Sequence, residues 1–459
     1  MASIRYGLGQ PPAELPSGVA MIRATDVDAG MIRTDNFLRV DPAELPQGRN
    51  PYLKAGEIIV VRSGAYTGDS AIVPSALEGA VAGYDMVATV TRASSHFVAY
   101  CLLSKHMLED QIHLLTLRAA QPHLNAEELG SVVLAMPPTR HEQQRIAAYL
   151  DASCAAIDAA VATKRRQLET LDALSLSVIH QAVTRGTNSA VKLRPSGMDW
   201  LSEVPEHWQV QQIKRTCEIV RGKFTHRPRN DPAFYDGEYP FVQTGDITAA
   251  RKYIRTYSQT LNDLGLSVSK TFPRGTLVMS IAANIGDVAI LDFEACFPDS
   301  MVGLIPRHKT DLNFLYYMMR AMKGIMLRSA VISTQLNLNN VRIGTNFAAF
   351  PPMKEQKTIG EYLDAKEQDA LAVKETLNQQ IATLTAYRKS LIHECVTGQR
   401  RISEADVVRS QLSGNTGQLK HETSENNGRL KTNRADDRKC YADLGKALKG
   451  GGQFDPPCF

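Results

Sequence analysis

The sequence lacks the residue clusters that mark metal sites and disulfide scaffolds. Its seven cysteines are widely scattered, and no Cys-x-x-Cys pair or His/Cys cluster has the spacing of zinc ligands. No apolar run approaches the roughly 18 residues of a membrane span. No basic flank with an apolar stretch follows Met1, so no signal peptide is predicted. We therefore expect a cytoplasmic protein with no bound metal and no membrane association.

A strong charge of either sign is also lacking. The chain carries 52 Lys+Arg against 48 Asp+Glu, a formal net charge of +4, which is not the basic balance that marks a nucleic-acid binder by itself. A hydrophobic content of 43% excludes a chain that is disordered overall. The length of 459 residues predicts two or three domains.

The chain contains a long internal repeat. The segment Glu142-Gln143-x-x-Ile146-x-x-Tyr149-Leu150-Asp151-Ala152 returns at Glu355-Gln356-x-x-Ile359-x-x-Tyr362-Leu363-Asp364-Ala365, and 18 of the 43 positions from 142 to 184 are identical to those from 355 to 397. Upstream, Gln121-x-x-Leu124-Asn125 with Pro137-Pro138 matches Gln335-x-x-Leu338-Asn339 with Pro351-Pro352. A variable domain followed by a better-preserved segment is therefore used twice.

Each better-preserved segment is predicted to be a long helix. No proline or glycine occurs between Pro138 and Gly186, and apolar residues recur at coiled-coil steps of three, four and seven. They are Ile146, Leu150, Ile157, Val161, Leu168, Leu171 and Val178 in the first copy, and Ile359, Leu363, Ala370, Leu377, Ile381, Leu384 and Leu391 in the second. Packing of each helix on its own domain alone is the alternative, but the length and narrow apolar stripe favour a partner helix. The second helix can pair with the first only by running back antiparallel.

The domains themselves show no sustained helical period. Short apolar runs between glycine-rich turns predict strands at Leu53–Val61, Ser70–Val73, Met86–Val90, Thr276–Ile281 and Val288–Leu291. The run Val132–Leu134, which Pro137-Pro138 stop, is also strand-like. Helices are predicted at His96–Thr116 and Asn313–Met326. The predicted fold class is α+β, with two pseudo-symmetric domains held apart by a pair of long antiparallel coiled-coil helices. The predicted limits are 1–138 and 187–352 for the domains, 139–186 and 353–400 for the helices, and 401–459 for a polar, mostly disordered tail.

No catalytic or cofactor motif is complete. Asp455-Pro-Pro-Cys458 resembles the D-P-P-[YF] loop of amino-methyltransferases, but the aromatic position is Cys and no glycine-rich loop precedes it. Pro298-Asp299 lacks the D/E-x-K of a nuclease site at nearby spacing, and Gly222-Lys223 lacks the rest of a P-loop. We therefore predict no active site and no cofactor.

Several turn-rich loops combine positive charge with amide and hydroxyl side chains, which suit both phosphate contacts and hydrogen bonds to base edges. The basic loop Arg221–Arg229 has a shorter counterpart at Arg5–Gln10, and the turn Arg62–Tyr66 has a counterpart at Ser280–Asn284. Taken one by one, such clusters are more often an ordinary solvated surface. Their recurrence at matched positions of two domains makes the binding interpretation equally expected. The candidate DNA-binding residues are Arg62, Tyr66, Arg221, Lys223, Arg227, Arg229, Gln243, Thr244, Arg251, Lys252 and Asn284.

These doubled motifs, over roughly residues 1 to 400, resemble the specificity subunit of type I restriction–modification systems. The segment Pro195–Trp208 also resembles the start of that family's recognition domains. The resemblance implies two target-recognition domains that each bind one half of a split double-stranded DNA target. It also implies helices that dock two methyltransferase subunits, to which restriction subunits attach, and no catalytic site in the chain itself.

The first domain departs from this pattern because it has no counterpart of Trp200–Trp208, which indicates a truncated start. The candidate docking residues are Glu142, Gln143, Tyr149, Glu355, Gln356 and Tyr362. The Glu-Gln pairs have a second interpretation as helix-initiating polar residues. Two other functions stay open: a DNA methyltransferase or nuclease with built-in recognition domains, and a coiled-coil scaffold that does not bind DNA.

Overall fold

The computed structural model describes residues 2–46, 48, 50–116, 122–282, 284–329, 331–332 and 336–412. The chain divides into two compact units, Met1–Arg165 with Asn378–Phe459 and Arg166–Leu377. This division passes through both long helices, so each unit contains one domain and a stretch of each helix. The predicted domain limits, which treat the helices as separate spacers, stay a prediction.

The first domain is built from short strands and short helices. Its strands are β1 (Ala2–Tyr6), β2 (Glu14–Ile22), β3 (Val27–Asp28), β4 (Met31–Ile32), β5 (Leu38–Val40), β6 (Ile58–Val60), β7 (Ser70–Ile72), β8 (Val81–Ala82) and β9 (Met86–Val90). Its helices are α1 (Ser95–Leu102), α2 (Lys105–Met107), α3 (His113–Thr116) and α4 (Ala126–Ser131), with a π-helical turn at Leu108–Ile112. The main sheet has the order β1-β9-β6-β7, and a second sheet has the order β5-β2-β8.

The apolar run around β6 explains why this strand lies at the centre of the domain. Ile58 and Val60 belong to the cluster that includes α1 residues such as Val98. Ile59 and Val61 belong to a separate cluster on the other face of the sheet. Since side chains alternate along a strand, an unbroken apolar run fits a strand that is covered on both faces.

The chain then enters the long helix α5 (Arg140–Arg185) and the second domain. The strands of that domain are β10 (Leu193–Met198), β11 (Leu201–Pro205), β12 (Gln209–Gln212), β13 (Cys217–Arg221), β14 (Tyr235–Phe241), β15 (Tyr253–Ile254), β16 (Gln259–Leu261), β17 (Thr271–Phe272), β18 (Leu277–Ser280), β19 (Val288–Leu291), β20 (Ala295–Cys296), β21 (Met301–Pro306), β22 (Val331–Ile332), β23 (Leu336–Asn337) and β24 (Phe347–Phe350). Its helices are α6 (Ile213–Thr216), α7 (Thr244–Ala249), α8 (Asp263–Ser267), α9 (Leu312–Ala321), α10 (Lys323–Ser329) and α11 (Asn340–Thr345), followed by the long α12 (Met353–Val396).

Four strands of the main sheet match between the two domains. The second domain has the order β13-β21-β18-β19-β15, and its first four strands pair antiparallel as β1, β9, β6 and β7 do in the first domain. Strand β18 also alternates between two apolar clusters, with Leu277 and Met279 in one and Val278 in the other. The duplicated α+β fold is therefore confirmed, including the part of each domain in which the sequence repeat has faded.

The long helices run antiparallel within each unit. In the first unit, Asp158 pairs with Arg388 at 3.1 Å and Lys164 donates to Gln380 at 2.6 Å, so residue numbers rise along α5 as they fall along α12. In the second unit, Asp172 of α5 pairs with Lys374 of α12. All fourteen predicted seam positions are buried or half-buried. This confirms the predicted pair of antiparallel coiled-coil helices.

Three local expectations differ from the structure. Val132–Leu134, expected as a strand, is irregular, whereas the equivalent β24 pairs with β12, which directly follows the Trp200–Trp208 segment. The predicted helix His96–Thr116 is broken into several pieces. Part of the tail predicted to be disordered is folded, because 404–412 is helical and Ile402 is buried against the paired helices. The remainder of the tail lies outside the described residues.

Helix α5 is long and apolar enough, by length and composition, to cross a membrane. This corrects the expectation that no stretch approaches a membrane span. The helix has an apolar face because Ile146, Leu150 and Ile157 pack against α12 in the first unit, while Ile179 and Val183 are in the core of the second. No other candidate span is found within the described residues.

Candidate nucleic-acid interface

The repeated Leu-Asn motif fixes one equivalent backbone position in both domains. Leu124 is fully buried, and its N–H donates to the carbonyl of Arg62 at 2.7 Å. Leu338 is also fully buried, and its N–H donates to the carbonyl of Ile281 at 3.1 Å. Arg62 and Ile281 are therefore structural equivalents.

The asparagines of the same motif begin the next helix in each domain. The side-chain oxygen of Asn125 accepts from the N–H of Glu128, and that of Asn339 accepts from the N–H of Arg342, both at 2.9 Å. Asparagine is a favoured N-cap because its side chain satisfies an N–H that the helix leaves without a partner. The motif is thus a scaffold element, and its glutamines, Gln121 and Gln335, lie outside the described residues.

The guanidinium of Arg62 packs against two exposed tyrosine rings. Its central carbon is 4.5 Å from the ring centroid of Tyr6 and 4.3 Å from that of Tyr84. Nη2 is 3.1 Å from Nε2 of His123, and because arginine can only donate, this histidine nitrogen must be the acceptor. Tyr84 is 50% exposed and His123 is exposed, so the group lies at the surface.

A buried carboxylate lies next to this group. Asp85 is only 2% exposed, and its Oδ1 accepts from the backbone N–H of Arg62 at 3.2 Å. Burial raises the pKa of Asp85 to about 6, against the opposing effect of the hydrogen bond and positive charge of Arg62. Tyr66, at the end of the same turn, is 51% exposed and available for contact.

The predicted basic loop of the second domain begins where β13 ends. Gly222 allows a close approach there, since a Cβ atom at this position would lie 2.2 Å from the carbonyl oxygen of Pro298. Nε of Arg221 donates to the carbonyl of Asp299 at 2.7 Å. Arg227 pairs with the carboxylate of Asp299 at 3.4 Å, and Arg229 also pairs with it.

Three of the predicted arginines therefore converge on one aspartate. The side chains of Arg227 and Arg229 are 52% and 47% exposed, and Lys223 is exposed. One carboxylate cannot neutralise three guanidinium groups, so the loop keeps a net positive charge. Beneath it, His226 stacks on Phe234 with 3.8 Å between ring centroids, which gives the loop an aromatic support.

Gln243 and Thr244 form the start of α7. The backbone N–H of Gln243 donates to Asp246 at 2.8 Å, and its side-chain amide donates to Gln259 at 2.9 Å. Gln243 and Thr244 are both half-buried. The amide of Gln243 is thus held in place near the surface by local contacts.

Asn284 lies close to the same helix. Its side-chain amide donates to Thr248 at 3.1 Å, and the Thr248 hydroxyl donates to Asp287 at 3.3 Å. Asp287 also forms an ion pair with Lys323. Asn284 is exposed and belongs to a polar network that α7 shares with the turn before β19.

The predicted pair Arg251 and Lys252 is divided by the structure. Arg251 is exposed, but the side chain of Lys252 is 11% exposed and pairs with Asp364 on α12. The Lys252 ammonium also lies 5.0 Å from the ring centroid of Tyr317. This geometry attaches the domain to its long helix, so we leave Lys252 out of the proposed interface.

The predicted docking glutamines have an internal role in both units. Gln143 accepts from the N–H of Ser94 at 2.9 Å and donates to the carbonyl of Pro137 at 3.0 Å. Gln356 accepts from the N–H of Asp311 at 2.9 Å and donates to the carbonyl of Pro351 at 2.9 Å. Both side chains are buried, so they fasten each long helix to its own domain and offer little surface to a partner.

The other docking candidates differ between the copies. Tyr149 is 6% exposed, because the segment after α12 covers it with Arg400 and Ile402, and this burial raises its pKa. Its equivalent Tyr362 is 39% exposed. Glu142 is half-exposed.

The side chain of Glu355 forms contacts within the second unit. Its carboxylate lies 2.8 Å from Nε2 of His207 and accepts from Nε1 of Trp208 at 3.2 Å. Trp208 is buried, so this contact joins the segment that is absent from the first domain to the start of α12.

Sequence reasoning missed four residues of these surfaces: Tyr6, Tyr84, His123 and Asp299. Each lies far along the chain from the arginine that it contacts. The glycine after Tyr6 and the Pro298-Asp299 pair were visible signals, but only the paired strands bring these residues together. Within the described residues, no group of three or more His, Cys, Asp or Glu side chains could hold a metal ion.

Comparisons with known proteins agree with the duplicated architecture. A family model described as the type I restriction modification DNA specificity domain matches residues 36–170 and 205–383. A putative type I restriction enzyme MjaX specificity subunit from Methanocaldococcus jannaschii is 24% identical over 293 residues, covering 61% of this chain and 62% of the relative. The MjaVIII specificity subunit from the same organism is 20% identical over 321 residues, covering 66% and 70%.

The chain thus spans about 62% of the length of the first of these relatives. A solved structure concerning complex assembly and conformational transition of a type I R-M system matches with a TM-score of 0.66 at 18% identity. The match covers 86% of this chain and 98% of the solved chain. This likeness shows that the two chains share a fold.

Proposed function

Because the chain belongs to the family of type I restriction modification DNA specificity domains, we propose that it is the DNA-recognition subunit of a type I restriction–modification complex. Each of its domains recognises one half of a bipartite double-stranded target. The chain gives sequence specificity, and methylation and cleavage are carried out by partner subunits. We place the complex in the cytoplasm.

One observation carries this proposal: the same scaffold occurs twice with different side chains at equivalent positions. Leu124 and Leu338 hold the same backbone position, yet that position is Arg62 in the first domain and the buried Ile281 in the second. A duplicated scaffold with different surface groups is suited to the recognition of two different half-sites.

The basic loop around Arg221–Arg229 supports phosphate contacts by the second domain. Its exposed arginines and Lys223 provide the donors that fix a protein on the DNA backbone, while amides such as Gln243 and Asn284 suit base edges. A nearly neutral chain can therefore bind DNA through a local charge excess. The net charge of +4 does not argue against this.

We further propose that the long helices dock two methyltransferase subunits, to which restriction subunits attach. Their exposed faces, including Glu142 and Tyr362, are the docking surface that the geometry favours, since Gln143 and Gln356 are buried. No active site is assigned to this chain.

Co-expression with a type I methyltransferase subunit tests the proposal. The chain should co-purify with that subunit, and the complex should bind duplex DNA with an affinity that falls steeply as salt is raised, because phosphate contacts release counterions. Failure to assemble, or DNA affinity that does not depend on salt, would contradict it.

The same preparation tests the other functions. The purified chain without partners should not bind adenosylmethionine and should not cleave DNA. Binding of adenosylmethionine would favour a methyltransferase with built-in recognition domains. Assembly without any DNA affinity would favour a coiled-coil scaffold.

A further inference from the structure

The Arg62 site of the first domain is built differently from its equivalent in the second domain. Both positions are fixed by a hydrogen bond from the N–H of the motif leucine. In the second domain the position is Ile281, which is 1% exposed. In the first it is an arginine at the surface beside two exposed tyrosines. The arginine is therefore a feature of one recognition surface and is not required by the scaffold.

The surroundings of Arg62 fix the plane of its guanidinium. Tyr6 covers one side and Tyr84 is within 4.3 Å of the central carbon. Nε is buried and has no hydrogen-bond partner, and among the described residues no carboxylate lies within 4.0 Å of the guanidinium nitrogens. One hydrogen of Nη2 is donated to Nε2 of His123 at 3.1 Å. The other hydrogen of Nη2 and those of Nη1 form the outer edge, which is left to meet a ligand. Arginine held by stacking is pre-organised, so it loses less entropy when it forms paired hydrogen bonds.

The ligand that matches this edge has two neighbouring acceptors and no donor. In the major groove guanine presents N7 and O6, both acceptors, whereas adenine presents one acceptor and one donor, cytosine presents a donor and thymine a single acceptor. A backbone phosphate also accepts two hydrogen bonds, but it carries no sequence information. A phosphate contact would not require an arginine that is positioned by two tyrosines in the first domain and absent from the second.

We propose that Arg62 recognises a guanine in the half-site bound by the first domain, with Nη1 and Nη2 donating to O6 and N7. Tyr6 and Tyr84 position the guanidinium for this contact. The proposal rests on the proposed function, because it assumes that the first domain binds DNA in the assembled complex. It adds the base and the atoms that one named side chain contacts.

The test uses the complex with its methyltransferase subunits and duplexes that carry the methylated motif of the wild-type complex. Each guanine of the motif is replaced in turn by 7-deazaguanine, which lacks the N7 acceptor. For the wild-type complex, 7-deazaguanine at one position of one half-site should lower the affinity on the order of 10- to 100-fold. For the Arg62→Gln complex, 7-deazaguanine at that position should cause no further loss of affinity. At the guanines of the other half-site, it should lower the affinity as it does for the wild type.

Arg33→Gln is the matched control, because Arg33 is an exposed arginine of the same domain that pairs with Asp28 at 2.6 Å. It should keep the wild-type response at every guanine. Arg62→Lys keeps the charge beside Asp85 and covers the case in which Arg62→Gln does not fold. Because lysine can still donate to N7, but from a single ammonium without the planar fork, its response at the one guanine should be weaker than that of the wild type.

Two results would overturn the proposal. One is that the Arg62 variants keep the wild-type sensitivity at every guanine. The other is that they weaken binding to all sequences equally, which is the behaviour of a phosphate contact. A wild-type complex without any sequence preference would instead contradict the proposed function itself, so the two failures are distinguishable.

Discussion

The side-chain oxygen of Gln356 accepts a hydrogen bond from the backbone N–H of Asp311 at 2.9 Å, at the N-cap of α9. Gln143 accepts in the same way from Ser94, the N-cap of α1. In both units, one buried amide therefore joins the first turn of a long helix to the first turn of a domain helix. This explains why the glutamine of the Glu-Gln pair is repeated, and it does not require a partner subunit.

Gln356→Ala should destabilise the second unit by about 1–3 kcal/mol, because it leaves one buried carbonyl and a half-buried N–H and carbonyl without their partner. Gln143→Ala should have a similar effect on the first unit. Chemical unfolding measures both. Gln379→Ala, on an exposed position of α12, is the control and should change stability little. Unchanged stability in the Gln356 variant together with loss of the methyltransferase subunit would restore the docking interpretation.

Asp85 should make stability depend on pH. Its pKa is raised by burial to about 6 in the folded chain, against about 3.9 in the unfolded chain. The protonated carboxyl of Asp85 therefore contributes fully to the free energy of unfolding below about pH 4. This contribution is lost as the pH rises to about 6. Asp85→Asn cannot lose a proton, so its advantage over the wild type should grow across this window to about 3 kcal/mol.

Unfolding midpoints of the wild type and Asp85→Asn at pH 4 and pH 7.5 check this prediction. The midpoints should be similar at pH 4, and the variant should be more stable at pH 7.5. Asp35→Asn, on an exposed position of the same domain, is the control variant. A wild type more stable than Asp85→Asn at pH 7.5 would mean that the carboxylate is stabilised by Arg62 more than it is penalised by burial.

Lys252→Met should destabilise the second unit by about 2 kcal/mol, because it removes one partner of Asp364 from a pair in which the lysine is largely buried. A double-mutant cycle with Asp364→Asn should show coupling between the two residues. Lys366→Met is the control, since Lys366 and Asp369 form an exposed pair that contributes little. A Lys252 variant of normal stability that had lost DNA affinity would support the original DNA-contact prediction.

Arg227→Gln and Arg229→Gln should each reduce the salt dependence of DNA binding. Each lost phosphate contact lowers the slope of log K against log salt by about 0.9, and the loss should be similar for all DNA sequences. Salt titrations of the assembled complex measure the slope. Arg274→Gln is the control, because Arg274 lies outside the loop and pairs with Asp292 at 2.7 Å. An unchanged slope in both loop variants would place the phosphate contacts elsewhere.

The helices and the duplication could be predicted because their signals are local or exactly repeated along the chain. Heptad spacing predicted the seam, and Met86–Val90 and Val288–Leu291 were predicted with the bounds that the structure has. The Leu-Asn motif identified equivalent positions, although its physical role as a buried anchor and N-cap was not visible. The shared fold class follows from these features.

The contacts within the candidate interface could not be predicted, since they join residues that are distant in sequence. Nothing near Arg62 indicates that Tyr6 and Tyr84 enclose it, because β1, β9 and the turn after β6 meet only in the sheet. Lys252 lies in a basic sequence that is typical of a surface loop, but its ammonium pairs with Asp364, 112 residues away. Burial of Gln356 is equally invisible in the Glu-Gln sequence.

Mapping methylated adenines in a host that co-expresses the chain with its methyltransferase subunit tests the central claim most directly. The account predicts a bipartite motif, with two specific half-sites separated by a non-specific gap of constant length. A single contiguous motif, or methylation that is the same when this chain is omitted, would contradict it.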